Sequence, residues 1–548
     1  MKKTHSYFKF TALLIIGILF SFSSFAQTGN TTYNSEESSG YTISSGDYNT
    51  FIGDDAGISL TSGKYCTFIG FGTGASNTTS EGTFIGYLAG RYNRTGFDNT
   101  FIGWEAGKFN ETAGDNTFIG AESGENNISG YDNTFVGEES GTNNTTGYEN
   151  VFIGEDAGFG NTTGYRNTFV GNEAGISSDV GYRNTGIGDE SLSDVDDGHH
   201  NTAVGDSSGI DIGAGYYNTM IGAAAGPTTE HADYNTFIGA MSGWDNNRTN
   251  STTNANHNTY VGYYCGFTNR EGQYNVGMGS TANFNNTVRN RCTFIGFGAD
   301  VDNNDVTMFG YETRVTGQYG MALGHTAVVT GSNSVLIGYN HTLSASNEVY
   351  LGNATTVSIG GAVNWTATSD GRFKTNVQEN IPGLSFINSL RPVSYNFDIE
   401  SLHNFSNESF PEGLEDAKDC KEQTVFSGFI AQEVEEAAQN LGYEFSGVKI
   451  PDNPEEEAYG LRYAEFVVPL VKAVQELNNK VETQEEIIAA LKDKVEEKEN
   501  LVDRQNELLE KYASRYEAME ARLAALEAKM EGKEEEKKEV VAELISKK

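Results

Sequence analysis

Short apolar triplets alternate with polar turns at a near-constant interval over most of the chain. Aligning on the recurring unit "NTFIG" places a glycine in one column at Gly53, Gly70, Gly86, Gly103, Gly120 and onward to Gly296, with spacing nearly always 17. The column continues at Gly310, Gly324, Gly338 and Gly352 with spacing 14, the same unit in a tighter coil. A fixed period with one glycine per unit predicts a stacked solenoid, whose coils bury their apolar sides only against their neighbours. The residue before each glycine is apolar (Ile52, Ile69, Ile85, Ile102), and the one before that is usually Phe (Phe51, Phe68, Phe84, Phe101). Adjacent strand residues face opposite sides, so one column fills the coil and the other points outward. An outward aromatic stripe of that length is an aggregation hazard on a monomer, which predicts that partner chains cover it. A broad, flattened solenoid enclosing both columns is the alternative.

The pattern changes past Trp365. "SDGRFKTNVQENIPGLSFINSLRPVSYNF" reads as a helix-forming stretch followed by a strand before Asp398, and Ser401 to Glu422 as an acidic, irregular segment. "FSGFIAQEVEEAAQNL" reads as a strand leading into an amphipathic helix. Beyond it, counting sevens from Val474 gives Val481, Ile488, Val495, Val502, Leu509, Tyr516, Leu523 and Met530 at one core position of a coiled coil. The other core position holds Leu477, Gln484, Leu491, Lys498, Gln505, Tyr512, Met519 and Leu526. Sustained heptads predict helix association, and Val or Ile before Leu leans toward two strands.

Composition narrows the function. With 75 acidic against 36 basic residues the 548-residue chain carries a net charge of -39, which repels nucleic acids and anionic lipids. The N-terminal "MKKTHSYFKFTALLIIGILFSFSSFAQ" has early lysines, an apolar run too short to span a bilayer and small residues before Gln27, and predicts a secretory signal cut after Ala26. No membrane insertion is expected, and the place of the protein is outside the cell or on its surface. Cys66, Cys265, Cys292 and Cys420 stand far apart, in neither a metal spacing nor a disulfide scaffold. No cofactor or metal is expected. Triplets such as "NTT" and "NRT" match a glycosylation acceptor, but Asn-Thr is equally a turn signal, which is the reading taken here.

The repeats, and the 14-residue "NSVLIGYNHTLSAS" above all, resemble the head repeats of trimeric autotransporter adhesins, which implies a left-handed parallel β-roll associated in threes. The segments Ser369 to Lys374, Leu390 to Tyr395, Gly428 to Glu433 and Leu461 to Leu477, in that order, resemble the endosialidase-type C-terminal intramolecular chaperone. That resemblance implies scission between Thr368 and Ser369, with Ser369 and Lys374 as the catalytic pair. A serine hydroxyl needs a base, and a lysine serves once burial or a nearby positive charge such as Arg372 lowers its pKa. Asp370 would orient or return the proton. Read alone, Ser-Asp-Gly is also a good surface turn.

The expected fold is therefore mostly β: a parallel β-solenoid, a small α+β chaperone domain and a coiled coil. Its divisions are 1–26 (signal), 27–360 (solenoid), 361–473 (chaperone and autoprotease), 474–535 (coiled coil) and 536–548 (charged tail). Both resemblances favour a homotrimer over the dimer suggested by the heptads. The expected function is an exported structural or adhesive fibre that meets an unidentified surface receptor or glycan. Any enzymatic act would be one turnover on itself. The rivals are a surface-glycan hydrolase, against which no acid pair stands out of the repeats, and an ice- or mineral-binding solenoid, suggested by Thr50, Thr67, Thr83 and Thr100.

Overall fold

The computed structural model describes residues 31–33 and 46–547, apart from 250–253, 285–287, 406–412, 452 and 456. The expected signal segment, 1–26, lies outside the described residues. The chain divides into two compact units, 1–360 with 399–418, and 361–398 with 419–548.

The first unit is a parallel β-solenoid of about 17 turns over residues 50–351. Each coil contributes one short strand, such as Thr67–Ile69, Thr83–Ile85 and Thr100–Ile102, paired in register with the next: Thr83 with Thr100, Phe84 with Phe101, Ile85 with Ile102. A second sheet begins at Asn283–Phe284, in the last 17-residue coil, and continues through the 14-residue coils with the two-residue strands Asp300–Val301, Arg314–Val315, Val328–Val329 and Thr342–Leu343.

The expectation of an outward aromatic stripe is corrected: the phenylalanine column is inside and the isoleucine column faces out. Phe68, Phe84, Phe101, Phe118, Phe135, Phe152 and Phe169 are fully buried, and successive rings stack at 4.7–5.2 Å. A second glycine makes room for each ring. Gly107 holds φ +56, and a Cβ there would meet ring atoms of Phe101 at 2.8 Å. The isoleucines and the threonines two residues before them share the outward face and are half-exposed or exposed. The glycine of "NTFIG" lies where coils touch: Gly120 has φ +147, and a Cβ on it would collide with the carbonyl oxygen of Gly137.

The asparagines of the repeat are buried hydrogen-bond ladders rather than plain turn residues. Asn133 Oδ1 accepts from the backbone N–H of Asn150 at 3.0 Å, and its Nδ2 donates to the carbonyl of Gly147 at 2.9 Å. The same pattern repeats at Asn116, Asn150, Asn167 and Asn184. A second column, Asn93, Asn110, Asn127, Asn144 and Asn161, links amide to amide at 2.6–2.8 Å. All five head glycosylation-type triplets, Asn93 with "NRT" among them, yet their side chains are fully buried and bonded inside the coil.

In the second unit, the short helix Leu384–Ile387 precedes the strand Val393–Tyr395, which pairs antiparallel with Phe426–Gly428. Helix Ala431–Asn440 follows, and Phe386, Val434, Ala437, Ala438, Phe445, Val448 and Phe466 form the core. The final helix, Val467–Ile545, is 79 residues long, with Pro469 and Ala473 its buried residues. Between Ser401 and Glu422 the expectation of irregular chain is corrected: helices Ile399–Phe405 and Glu415–Gln423 form there. The second contains good helix formers, with Glu415 and Asp416 at its positive N-terminal end.

Candidate functional site

The stretch "SDGRFK" folds into one tight turn. Asp370 caps the single 3-10 turn Gly371–Phe373, its carboxylate accepting from the backbone N–H of Arg372 at 2.9 Å. The Arg372 guanidinium closes on the same carboxylate at 2.6 and 2.9 Å. That partner, with the backbone N–H, holds the Asp370 carboxyl below its usual range, so it stays ionised. The turn continues with the Lys374 N–H donating to the Gly371 carbonyl at 3.2 Å. Lys374 Nζ then lies 2.7 Å from Ser369 Oγ, so nucleophile and candidate base are in hydrogen-bond reach across five residues. Thr368 directly precedes them, and the surrounding segment is exposed.

As placed, the ammonium donates to the hydroxyl. For Lys374 to act as base, the direction of this contact must reverse, with the amine accepting from the hydroxyl. The structure thus unites Ser369, Lys374, Asp370 and Arg372, while leaving open to solvent what the chemistry needs dry.

Residues 369–443 match the family described as the chaperone of endosialidase. The match starts at the serine of the dyad and runs through the Val393–Tyr395 and Phe426–Gly428 pair to the end of helix Ala431–Asn440. A search of curated proteins returned no match. A chaperone-of-endosialidase module behind a β-solenoid supports a trimeric fibre-type protein.

Elsewhere, Cys66, Cys265 and Cys292 are buried free thiols, and burial pushes Cys265 up to about 12 and Cys292 to about 11, which makes them inert fillers. No group of three metal-type side chains occurs among the described residues. No described helix is long and apolar enough to cross a membrane.

Sequence reading missed two features of the solenoid surface. Asp211 is pushed up to about 6, first by burial and then by the charges of Glu230, Asp194 and Asp196 on neighbouring turns. Aromatic side chains also recur one and two residues before the ladder asparagines and stack from coil to coil. Period-17 recurrence of Tyr131, Tyr148, Tyr165 and Tyr182 was the available signal.

Proposed function

We propose that this chain is an exported homotrimeric fibre, structural or adhesive, whose C-terminal part aligns three copies and then detaches by a single cut between Thr368 and Ser369. In this reading 27–360 is the working solenoid, 361–473 the chaperone, 474–535 the coiled coil and 536–548 a charged tail. The observation that carries the cut is the 2.7 Å contact between Lys374 Nζ and Ser369 Oγ. Two further features support assembly. The solenoid has an outward Ile and Thr face, and the final helix leaves Val474, Val481, Ile488 and Val495 exposed every seventh residue. Registering three C-termini first raises the local concentration of chains whose parallel coils otherwise pair slowly.

The chemistry balances within the chain plus one water. Neutral Lys374 takes the Ser369 hydroxyl proton as Oγ adds to the Thr368 carbonyl carbon. The bond from that carbon to the Ser369 nitrogen then breaks, and the nitrogen takes the proton back. The Thr368 acyl group now sits as an ester on Ser369 Oγ. Hydrolysis frees a Thr368 carboxylate and a chain beginning at Ser369. Covering the site on assembly would desolvate Lys374 and favour its neutral form.

Intact mass and N-terminal sequencing of the assembled protein test this. The expected fragment begins Ser-Asp-Gly, and Ser369→Ala and Lys374→Ala each leave a full-length trimer. A wild-type trimer that stays whole, or a Lys374→Ala chain that cuts normally, refutes the cut. The half-exposed threonine row beside the isoleucines also suits the ice- or mineral-binding reading, which an assay for thermal hysteresis addresses.

A further inference from the structure

We infer that the solenoid carries a binding strip for a neutral polysaccharide, formed by Tyr217, Tyr234, His257 and Tyr274 on four successive coils. The inference rests on the adhesive reading above and gives it a ligand class.

The four rings form one exposed stack. Centroids are 5.5, 4.9 and 5.0 Å apart, with neighbouring planes within 5°, 3° and 7° of parallel. Carbon atoms in contact sit ~3.5–4 Å apart, so parallel rings at this wider centroid spacing touch only if tilted, like shingles, to the stacking direction. Each shingle leaves a strip of face and its polar tip to solvent. Tyr217 is 48% exposed, Tyr234 46% and Tyr274 52%. Tyr216 stands edge-on against Tyr217 and Tyr234 at 78° and 81° and walls one side.

The position is left-handed in coil after coil whatever residue fills it: Tyr48, Glu81, Asp98, Glu149 and Arg166 hold it earlier in the solenoid, and the four rings hold it with φ between +57° and +62°. Backbone conformation therefore does not select the rings, and packing in the coil does not require them, since they point out of it. An unbroken exposed aromatic row at a position that accepts acidic and basic side chains elsewhere is the pattern of a binding surface.

Charge selects the ligand. A chain of net charge -39 repels polyanions. A polycation would settle on carboxylate-bearing coils rather than on rings. A neutral, hydroxyl-rich polymer offers C–H faces to the ring strips and hydroxyls to the phenol and imidazole tips. A strip running from coil to coil suits a polymer that lies along it.

Affinity electrophoresis of the assembled wild-type protein in gels containing hydroxyethylcellulose, laminarin, galactomannan or alginate tests the inference. Retardation by at least one of the three neutral polymers and none by alginate is expected. The double variant Tyr217→Ala/Tyr234→Ala should bind at least about tenfold more weakly, as for loss of an aromatic anchor, while Tyr217→Phe/Tyr234→Phe keeps part of the binding. Circular dichroism and sedimentation of the same samples verify fold and assembly. Three results would overturn the strip: no retardation by any neutral polymer, equal retardation of the alanine variant, or a change in oligomer size in the folded alanine variant, which would assign the rings to contacts between copies. A trimeric, correctly cut fibre that ignores all four polymers sinks this inference and leaves the proposed function standing.

Discussion

Replacing Asn133 by alanine should open the solenoid locally at a cost set by two identified bonds. The Asn133 carboxamide accepts from the Asn150 N–H at 3.0 Å and donates to the Gly147 carbonyl at 2.9 Å, and all its atoms are buried. Alanine leaves the buried Asn150 N–H unmet, at about 1–3 kcal/mol, while the Gly147 carbonyl keeps its bond from Asn144 Nδ2 at 3.0 Å and loses only one of two donors, worth about 1 kcal/mol. The sum is about 3 kcal/mol, falling toward about 1 if a water enters the space left and meets the N–H. Because coils contact chiefly their neighbours, the loss should be read locally. Hydrogen exchange of peptides covering 134–154 in the intact protein is the assay, and about 3 kcal/mol corresponds to roughly a hundredfold faster exchange wherever opening limits it. The control is Thr134→Ala, one residue on but half-exposed on the outward face, expected to change exchange less than about fivefold. If Asn133→Ala and Thr134→Ala behave alike, the ladder is a by-product of close coils and not a cause of their stability.

The remaining expectations are more direct. Gly120→Ala should disrupt its coil, because the new methyl meets the Gly137 carbonyl, whereas Gly371→Ala, with nothing within 4 Å of the added carbon, should leave the melting temperature unchanged. Asp211 holds its proton up to about 6 against an ordinary 3.8, so the folded state binds more protons in that window and stability falls as pH rises through it. Asp211→Asn should therefore stabilise above pH 6 and not below pH 4, by about 1 kcal/mol once the group's partial exposure is allowed for, read as a difference in melting temperature across pH. Ile488 and Val495 are 51% and 54% exposed in the single chain; Ile488→Lys/Val495→Lys should lower the sedimentation coefficient by preventing association without lowering helix content per chain.

The coil period, the strand triplets and the tightening after Gly296 were legible because each is a local pattern repeated many times. Which apolar column goes inside was not. That choice depends on the second glycine, at Gly90 and Gly107, whose missing Cβ admits the Phe ring, a contact no strand-alternation rule contains. The asparagines were misread for a related reason. A rule that scores Asn as a turn former sees one residue and its neighbours, while the Asn133 bonds reach 14 and 17 positions along the chain. At the dyad, the spacing of Ser369 and Lys374 was visible, but their meeting depends on Asp370 capping the turn between them. Asp211 gave no signal, since its carboxyl is perturbed by burial and by acids brought in from other turns.

Exposure links the proposed cut to the proposed assembly. Trp365, three residues ahead of Thr368, is 87% exposed, and Val363, Phe373 and Val377 around the dyad are also exposed. Large apolar side chains so placed are costly to leave in water, each worth about 1.5–3 kcal/mol if buried. On the homotrimer reading, they would be covered by other copies, and the same covering would take water from Lys374. Desolvation lowers a lysine pKa and turns a donor into the acceptor that Ser369 requires. On the same reading, a base left exposed until partners arrive would keep a single chain from cutting away its own chaperone before the coils have registered. Trp365→Ser should then slow the cut more than it weakens association, since the helix stripe through Val474, Val481 and Ile488 stays intact. Cleavage followed by mass over time, beside sedimentation of the same sample, checks the order. A Trp365→Ser chain that associates and cuts at the wild-type rate would show that the cover over Lys374 comes from elsewhere.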